Sequence, residues 1–218
     1  MGPRLPGEER FRRWLAASLG ADEQARDRLR RRIAHGSGAF VLVYFVLPDD
    51  FFVVISKEVA LLLALAAAFV LEGLRLGARV QLPTIRGYEA DRPASFLFYS
   101  VALVIAVLLF PTAIAAAVVL GTAFVDPVAG ELRARSQPPA LQWSVPAALY
   151  AVLATVALAG VGRWPVLTAL ALGAAAAVVA VAVERWRFRW LDDDLTMTVV
   201  PAVMLYALGV LALGLPGW

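Results

Sequence analysis

The chain has 218 residues, 61% of them hydrophobic, with a mean hydropathy of +0.75 and a net charge of only +3. A soluble domain is about 45–50% apolar, so this composition argues against a soluble fold and describes one membrane-embedded domain without room for a second module. With no cysteine and one histidine, His35, it also argues against disulfides, thiolate chemistry, multi-histidine metal centres and Ser-His-Asp catalysis.

In chain order, residues 1–32 are polar, rich in Arg and Glu, and read as a cytoplasmic amphipathic helix with Phe11, Trp14 and Leu15 on its apolar side. The first apolar run begins only near Ile33 and no small-residue cleavage site follows it, so no cleavable signal peptide is expected. The remainder, 33–218, is expected to be an all-α, polytopic transmembrane bundle of about seven spans, each near the ~20 apolar residues that a bilayer requires. The expected spans are Ile33–Leu47, with part of Phe51–Ile55, then Val59–Leu76, Ala94–Phe110, Thr112–Val125, Val145–Val161, Val166–Val183 and Val199–Leu215. Pro111 marks a tight hairpin between the third and fourth. The run Ala174–Ala177 offers a surface against which another helix can approach closely.

The loops set an orientation. If the N-terminus is cytoplasmic, the inner loops hold Arg75, Arg79, Arg86, Arg92, Arg133, Arg135, Arg185, Arg187 and Arg189, and the outer loops hold little beyond Lys57 and Arg163. This is the positive-inside pattern, and it predicts a multi-pass protein of the cell membrane. Lys57 is the sole lysine; arginine stays ionised near lipid and grips phosphate oxygens bidentately. Because the arginines lie in short loops between apolar runs, and form no single face, nucleic acid is not an expected partner. The acids gather with them: Glu72, Glu89, Asp91, Asp126, Glu131, Glu184 and Asp192 to Asp194 fall at or near the inner side. A transporter would carry polar groups near mid-membrane on several helices. Polar chemistry collected at one mouth suits an enzyme with a cytosolic cosubstrate.

Several of these residues have two readings. Glu72 and Arg75, three apart, share a helix face and either form an interfacial ion pair or support a site. Arg86, Glu89 and Asp91 are either a solvated loop or chemistry beside a helix end. Asp126 follows an apolar helix and precedes Pro127, so it either marks the end of a span or holds Mg²⁺ bridging nucleotide phosphates. Asp192, Asp193 and Asp194 precede the last span, where one acid would serve as a helix cap and three exceed that need. His35, in His35-Gly36-Ser37-Gly38, is either structural or part of a site. No GxxxxGK[ST] phosphate loop occurs, which argues against a soluble-type NTPase.

The order of these segments resembles the dolichol kinase and CTP-dependent polyprenol kinase family, in its archaeal form, over roughly Arg30 to Pro201. The family also includes phytol kinases and is distantly similar to phosphatidate cytidylyltransferases. The resemblance is carried by Arg30-Arg31-Arg32-Ile33-Ala34-His35-Gly36-Ser37-Gly38, Glu72-Gly73-Leu74-Arg75, Arg86-Gly87-Tyr88-Glu89, Val125-Asp126-Pro127-Val128-Ala129-Gly130 and Asp192-Asp193-Asp194-Leu195-Thr196 with Pro201. Val125 stands where the family has glycine and Asp194 where it has asparagine. A lysine-containing segment found after the aspartate motif in many relatives is here Arg133-Ala134-Arg135-Ser136-Gln137-Pro138-Pro139.

The resemblance implies a Mg²⁺-dependent kinase that moves a phosphoryl group from CTP to a polyprenol- or dolichol-type alcohol at the cytoplasmic face. It implies Asp126, with Asp192 or Asp193, as metal ligands, and Asp126, Glu89 and Asp193 as the catalytic set. Arg75, Arg86, Arg133 and His35 would meet the nucleotide phosphates, with Glu72 and Asp194 in support. The implied partners are CTP, an isoprenoid alcohol and the bilayer, with a homodimer left open. Two other readings stay open: a CTP-dependent lipid cytidylyltransferase, and a non-catalytic membrane protein or transporter.

Overall fold

The computed structural model describes residues 29–30, 32–49, 54–79, 91–186 and 192–215. Among them the chain is all-helical, without a strand. An N-terminal segment is helical over residues 32–37 and tightens into a 3₁₀ helix, Gly38–Phe45. Six helices follow: α1 Lys57–Ala78, α2 Ser95–Leu109, α3 Thr112–Ala134, α4 Pro139–Val161, α5 Val166–Arg185 and α6 Asp193–Ala212. Five of them, all but α2, are long and apolar enough to cross a membrane.

Local chemistry sets the starts and stops. Ser56 caps α1 by accepting from the Val59 amide, and Arg79 closes it at φ 53 with its N–H on the Arg75 and Leu76 carbonyls. Phe110, forced extended by the proline after it, breaks α2 from α3 at the hairpin expected at Pro111. Prolines also open α4 and precede α5, where a missing N–H costs nothing. The last turns of α4 (Ala157–Val161) and α6 (Tyr206–Ala212) widen into π-helix.

The buried core centres on α3, which packs against α2, α4, α6 and the 3₁₀ segment, while α5 joins α4 to α6. Small residues on α3 (Ala113, Ala115 to Ala117, Gly121, Ala123) bring neighbours close. A Cβ on Gly121 would lie 2.3 Å from the Tyr150 ring, so glycine is required there. Ala176 and Ala177, at the end of the expected small-residue run, are likewise buried.

The span reading changes in two respects. The N-terminal segment and α2 are not among the membrane-length helices: the first is split between α-helix (32–37) and 3₁₀ helix (Gly38–Phe45), and the 15-residue α2 rises about 22 Å against a ~30 Å core. Several boundaries also move outward. α3 continues through Pro127 to Ala134 where Val125 was expected to be last, α4 begins at Pro139 in place of Val145, and α6 at Asp193 in place of Val199. Hydropathy marks where the apolar stretch stops, and these helices run on into polar sequence. The amphipathic helix expected before residue 29 lies outside the described residues.

Candidate functional site

Consecutive elements run antiparallel, so α1, α3 and α5 finish at the same end of the bundle at which α2, α4 and α6 begin. Asp126 sits two turns before the end of α3, Asp194 in the first turn of α6, and His35 in the N-terminal segment. His35 Nε2 lies 2.9 Å from Asp194 Oδ1 and 3.5 Å from Asp126 Oδ2. The three groups can each offer one atom to a shared point, all within 4.8 Å of one another.

The imidazole is held from behind. It stacks on Tyr99 of α2 at 4.7 Å between centroids, and the Tyr99 hydroxyl donates to the His35 carbonyl at 2.9 Å. Gly38 is part of this seat, since a Cβ there would come within 2.2 Å of the Tyr99 oxygen. Close approach to a phenol therefore explains one of the small residues after His35, and Gly36 has open space.

The aspartate run divides its work. Asp192 caps α6, accepting from the Asp194 amide at 3.2 Å and from the Ser95 hydroxyl at 3.1 Å. Burial, and then the charge of neighbouring Asp193, push the Asp192 carboxyl above the usual carboxylate range. Asp194 is buried against His35, and Asp193 completes a second close acid group with its two neighbours. Below them, Thr198 donates to the Asp194 carbonyl and meets Thr122 of α3 at 2.9 Å, which continues the polar contacts into the bundle.

Arg133, near the end of α3, hydrogen-bonds Glu184 of α5 and reaches to 3.9 Å of Asp126 Oδ1. Arg32 bonds Glu131, which also holds Arg135 at 2.5 Å. A shallow hollow lined by Arg32, Pro127, Val128, Glu131 and Leu132 opens beside Asp126.

Glu72 and Arg75 pair as expected, in a bidentate contact at 2.7 and 2.8 Å. Both are nearly inaccessible, at 2% and 4% exposure. Arg75 also donates to the Arg92 carbonyl at 2.7 Å and Glu72 accepts from the Ala94 amide at 2.7 Å, so the pair fastens the start of α2 to the end of α1. Arg86 and Glu89 lie outside the described residues.

The structure thus gathers His35, Asp126, Asp192, Asp193, Asp194 and Arg133 around one mouth, with Glu72 and Arg75 one helix away. Sequence reasoning left out Tyr99 and Ser95, and counted Glu184 only as a charge. Tyr99 carried a signal, as a phenol in the second turn of a helix whose other polar residues are the serines Ser95 and Ser100. Hard oxygen donors with one imidazole suit a divalent cation, and a guanidinium beside them suits phosphate. Comparison with family models, curated proteins and solved structures finds no match. What the fold and site define is therefore a class: an all-helical chain with five membrane-length helices and one polar, acid-rich end.

Proposed function

We propose that the chain is a membrane-embedded phosphotransferase that transfers the γ-phosphoryl group of CTP to an isoprenoid alcohol of the polyprenol or dolichol type. One observation carries this reading. Three segments far apart in sequence, ending in His35, Asp126 and Asp194, converge within 4.8 Å at one end of the bundle. They belong to motifs through which the sequence resembles CTP-dependent polyprenol kinases.

In this reading Asp126, with Asp192 or Asp193, would hold Mg²⁺. Asp194 is the carboxylate that lies within 4.8 Å of Asp126 and also groups with Asp192 and Asp193. Carboxylates suit magnesium, which favours one or two of them with phosphate oxygens. When bound, the ion neutralises charge on the nucleotide phosphates. Arg133 brings positive charge to the same mouth, His35 brings an imidazole beside it, and Arg86 joins them in this reading. Arg75 acts with Glu72 by fixing where α2 starts, which in turn sets Ser95 against Asp192 and Tyr99 against His35. Asp193 or Glu89 takes the proton of the alcohol as its oxygen bonds to the γ-phosphorus and the bond to CDP breaks. The products are the lipid monophosphate and CDP. The alcohol lies at the apolar–polar boundary, and the polar end faces the cytoplasm of a cell membrane, where CTP is available.

The test is to incubate purified chain with CTP or ATP, Mg²⁺ and a panel of prenols, and to identify products by mass spectrometry. Prenyl monophosphate with CDP supports the proposal. A CDP-lipid with pyrophosphate would make the chain a cytidylyltransferase, and no product together with no CTP binding would remove the enzyme reading.

A further inference from the structure

We propose that Arg185, laid flat on Trp143, is a binding site for the phosphate of an anionic phospholipid. The guanidinium carbon of Arg185, the last residue of α5, sits 4.2 Å from the centroid of the Trp143 ring in the second turn of α4. That is a cation–π arrangement that orients the planar fork. Its Nε and Nη2 are buried and have no acceptor among the described residues. At the same end of the bundle, Arg32, Arg75, Arg133 and Arg135 each have a carboxylate partner. Among the described residues, Arg185 has an aromatic face and no anion. A charge withdrawn from water without a counter-charge is costly, so the arrangement calls for an acceptor beyond the described residues, and a lipid phosphate would supply it.

Geometry separates this position from the polar mouth. Glu184 turns toward Arg133 on α3, and the next residue is rotated by about 100° on the helix, which brings Arg185 against α4. The surroundings suit a lipid. Trp143 is 43% exposed, and Trp186, next to Arg185 in the chain, is 75% exposed. They offer an apolar flank for acyl chains under a phosphate held at the helix ends, where aromatic residues favour the membrane interface. The sequence 187–191 adds two arginines and no acid. This inference depends on the chain lying in a bilayer and not on its being a kinase.

The test uses the full chain in detergent, titrated with phosphatidylglycerol, with bound lipid counted by native mass spectrometry and thermal stability read in parallel. Arg185→Gln should weaken phosphatidylglycerol binding about fivefold, the contribution of one basic residue near an anionic surface, and lose most of the lipid-dependent rise in Tm. Trp143→Leu, which keeps the charge and removes its platform, should weaken binding too. Arg79→Gln, an exposed arginine at the same end, should leave binding within about twofold of wild type. If Arg185→Gln and Trp143→Leu both bind phosphatidylglycerol as wild type does, the proposal is wrong. Inorganic phosphate or CTP at millimolar concentration should not displace the lipid, and displacement by either would reassign the site to a soluble phosphate. Prenol phosphorylation is not the readout, so a failure of the kinase proposal leaves this result standing.

Discussion

Asp126 has two positive or proton-bearing neighbours, His35 and Arg133, and its side chain is 18% exposed. Asp126→Asn keeps the shape and one acceptor but removes the charge. We expect this variant to insert and purify normally while CTP-dependent prenol phosphorylation falls more than about hundredfold, with raised magnesium restoring little. Wild-type turnover would pass the metal role to Asp192 and Asp193. Glu72 answers to a different measurement. Glu72→Ala removes the bidentate contact to buried Arg75 and the acceptor of the Ala94 amide, so a loss of about 3–5 kcal/mol is expected in reversible unfolding. Exchanging the two residues should restore only part of it. The ion pair would re-form reversed, but the arginine at position 72 could not accept from Ala94. Full recovery in the exchanged variant would show that the pair does not depend on α2.

Among the elements, the helix ends were the least legible in the sequence. Hydropathy located α1, α3, α4, α5 and α6, because a long apolar run in a chain this hydrophobic has few other uses. It could not show that α3 passes Pro127 for two more turns, since those turns are stabilised by Glu131 and Arg133 through partners on other elements. Nor could it show that the stretch after His35 would coil into a 3₁₀ helix against Tyr99. Tertiary contact decides that conformation. The acids of the candidate site were legible because charge is rare here, and their mutual distances were not. The π-helical end of α6 gives an element-scale prediction. A Cβ on Gly209 would lie 2.4 Å from the buried Trp164 ring, whereas at Gly160, in the matching π turn of α4, nothing lies within 4 Å. Gly209→Ala should therefore destabilise by about 1–3 kcal/mol, and Gly160→Ala by far less, in thermal melts of the purified protein. Equal effects would mean that the ring yields.

At the scale of the molecule, the described charges fall into two unequal groups. His35, Asp126, Arg133, Glu184 and the aspartate run occupy one end, while Lys57, Glu58 and Asp49 gather at the other. The proposed orientation, read from the positive-inside pattern, puts the acid-rich end in the cytoplasm, and with seven crossings it predicts opposite sides for the sequence before Ile33 and for Gly214. Because the chain has no cysteine, single cysteines can be introduced without a background. A membrane-impermeant maleimide applied to intact cells should label Gly214→Cys and leave Arg26→Cys unlabelled. Labelling of both would show that one of the two short elements, the N-terminal segment or α2, fails to cross.

α1 stands apart from this architecture. Only 11% of its membrane-length window is buried, against 67% for α3. Its firm attachments sit at its extremities: Glu58 to Tyr44 and Lys57 to Asp49 at one, Glu72 and Arg75 to the start of α2 at the other. A rod riveted at top and bottom and loose along its length should come away as a single piece. When the molecule is stretched by its ends in a bilayer, α1 should detach in a separate step at lower force than the block formed by α3 to α6. Because the lower rivet also holds the first residues of α2, that step should carry Tyr99 with it and leave His35 without the ring on which it rests.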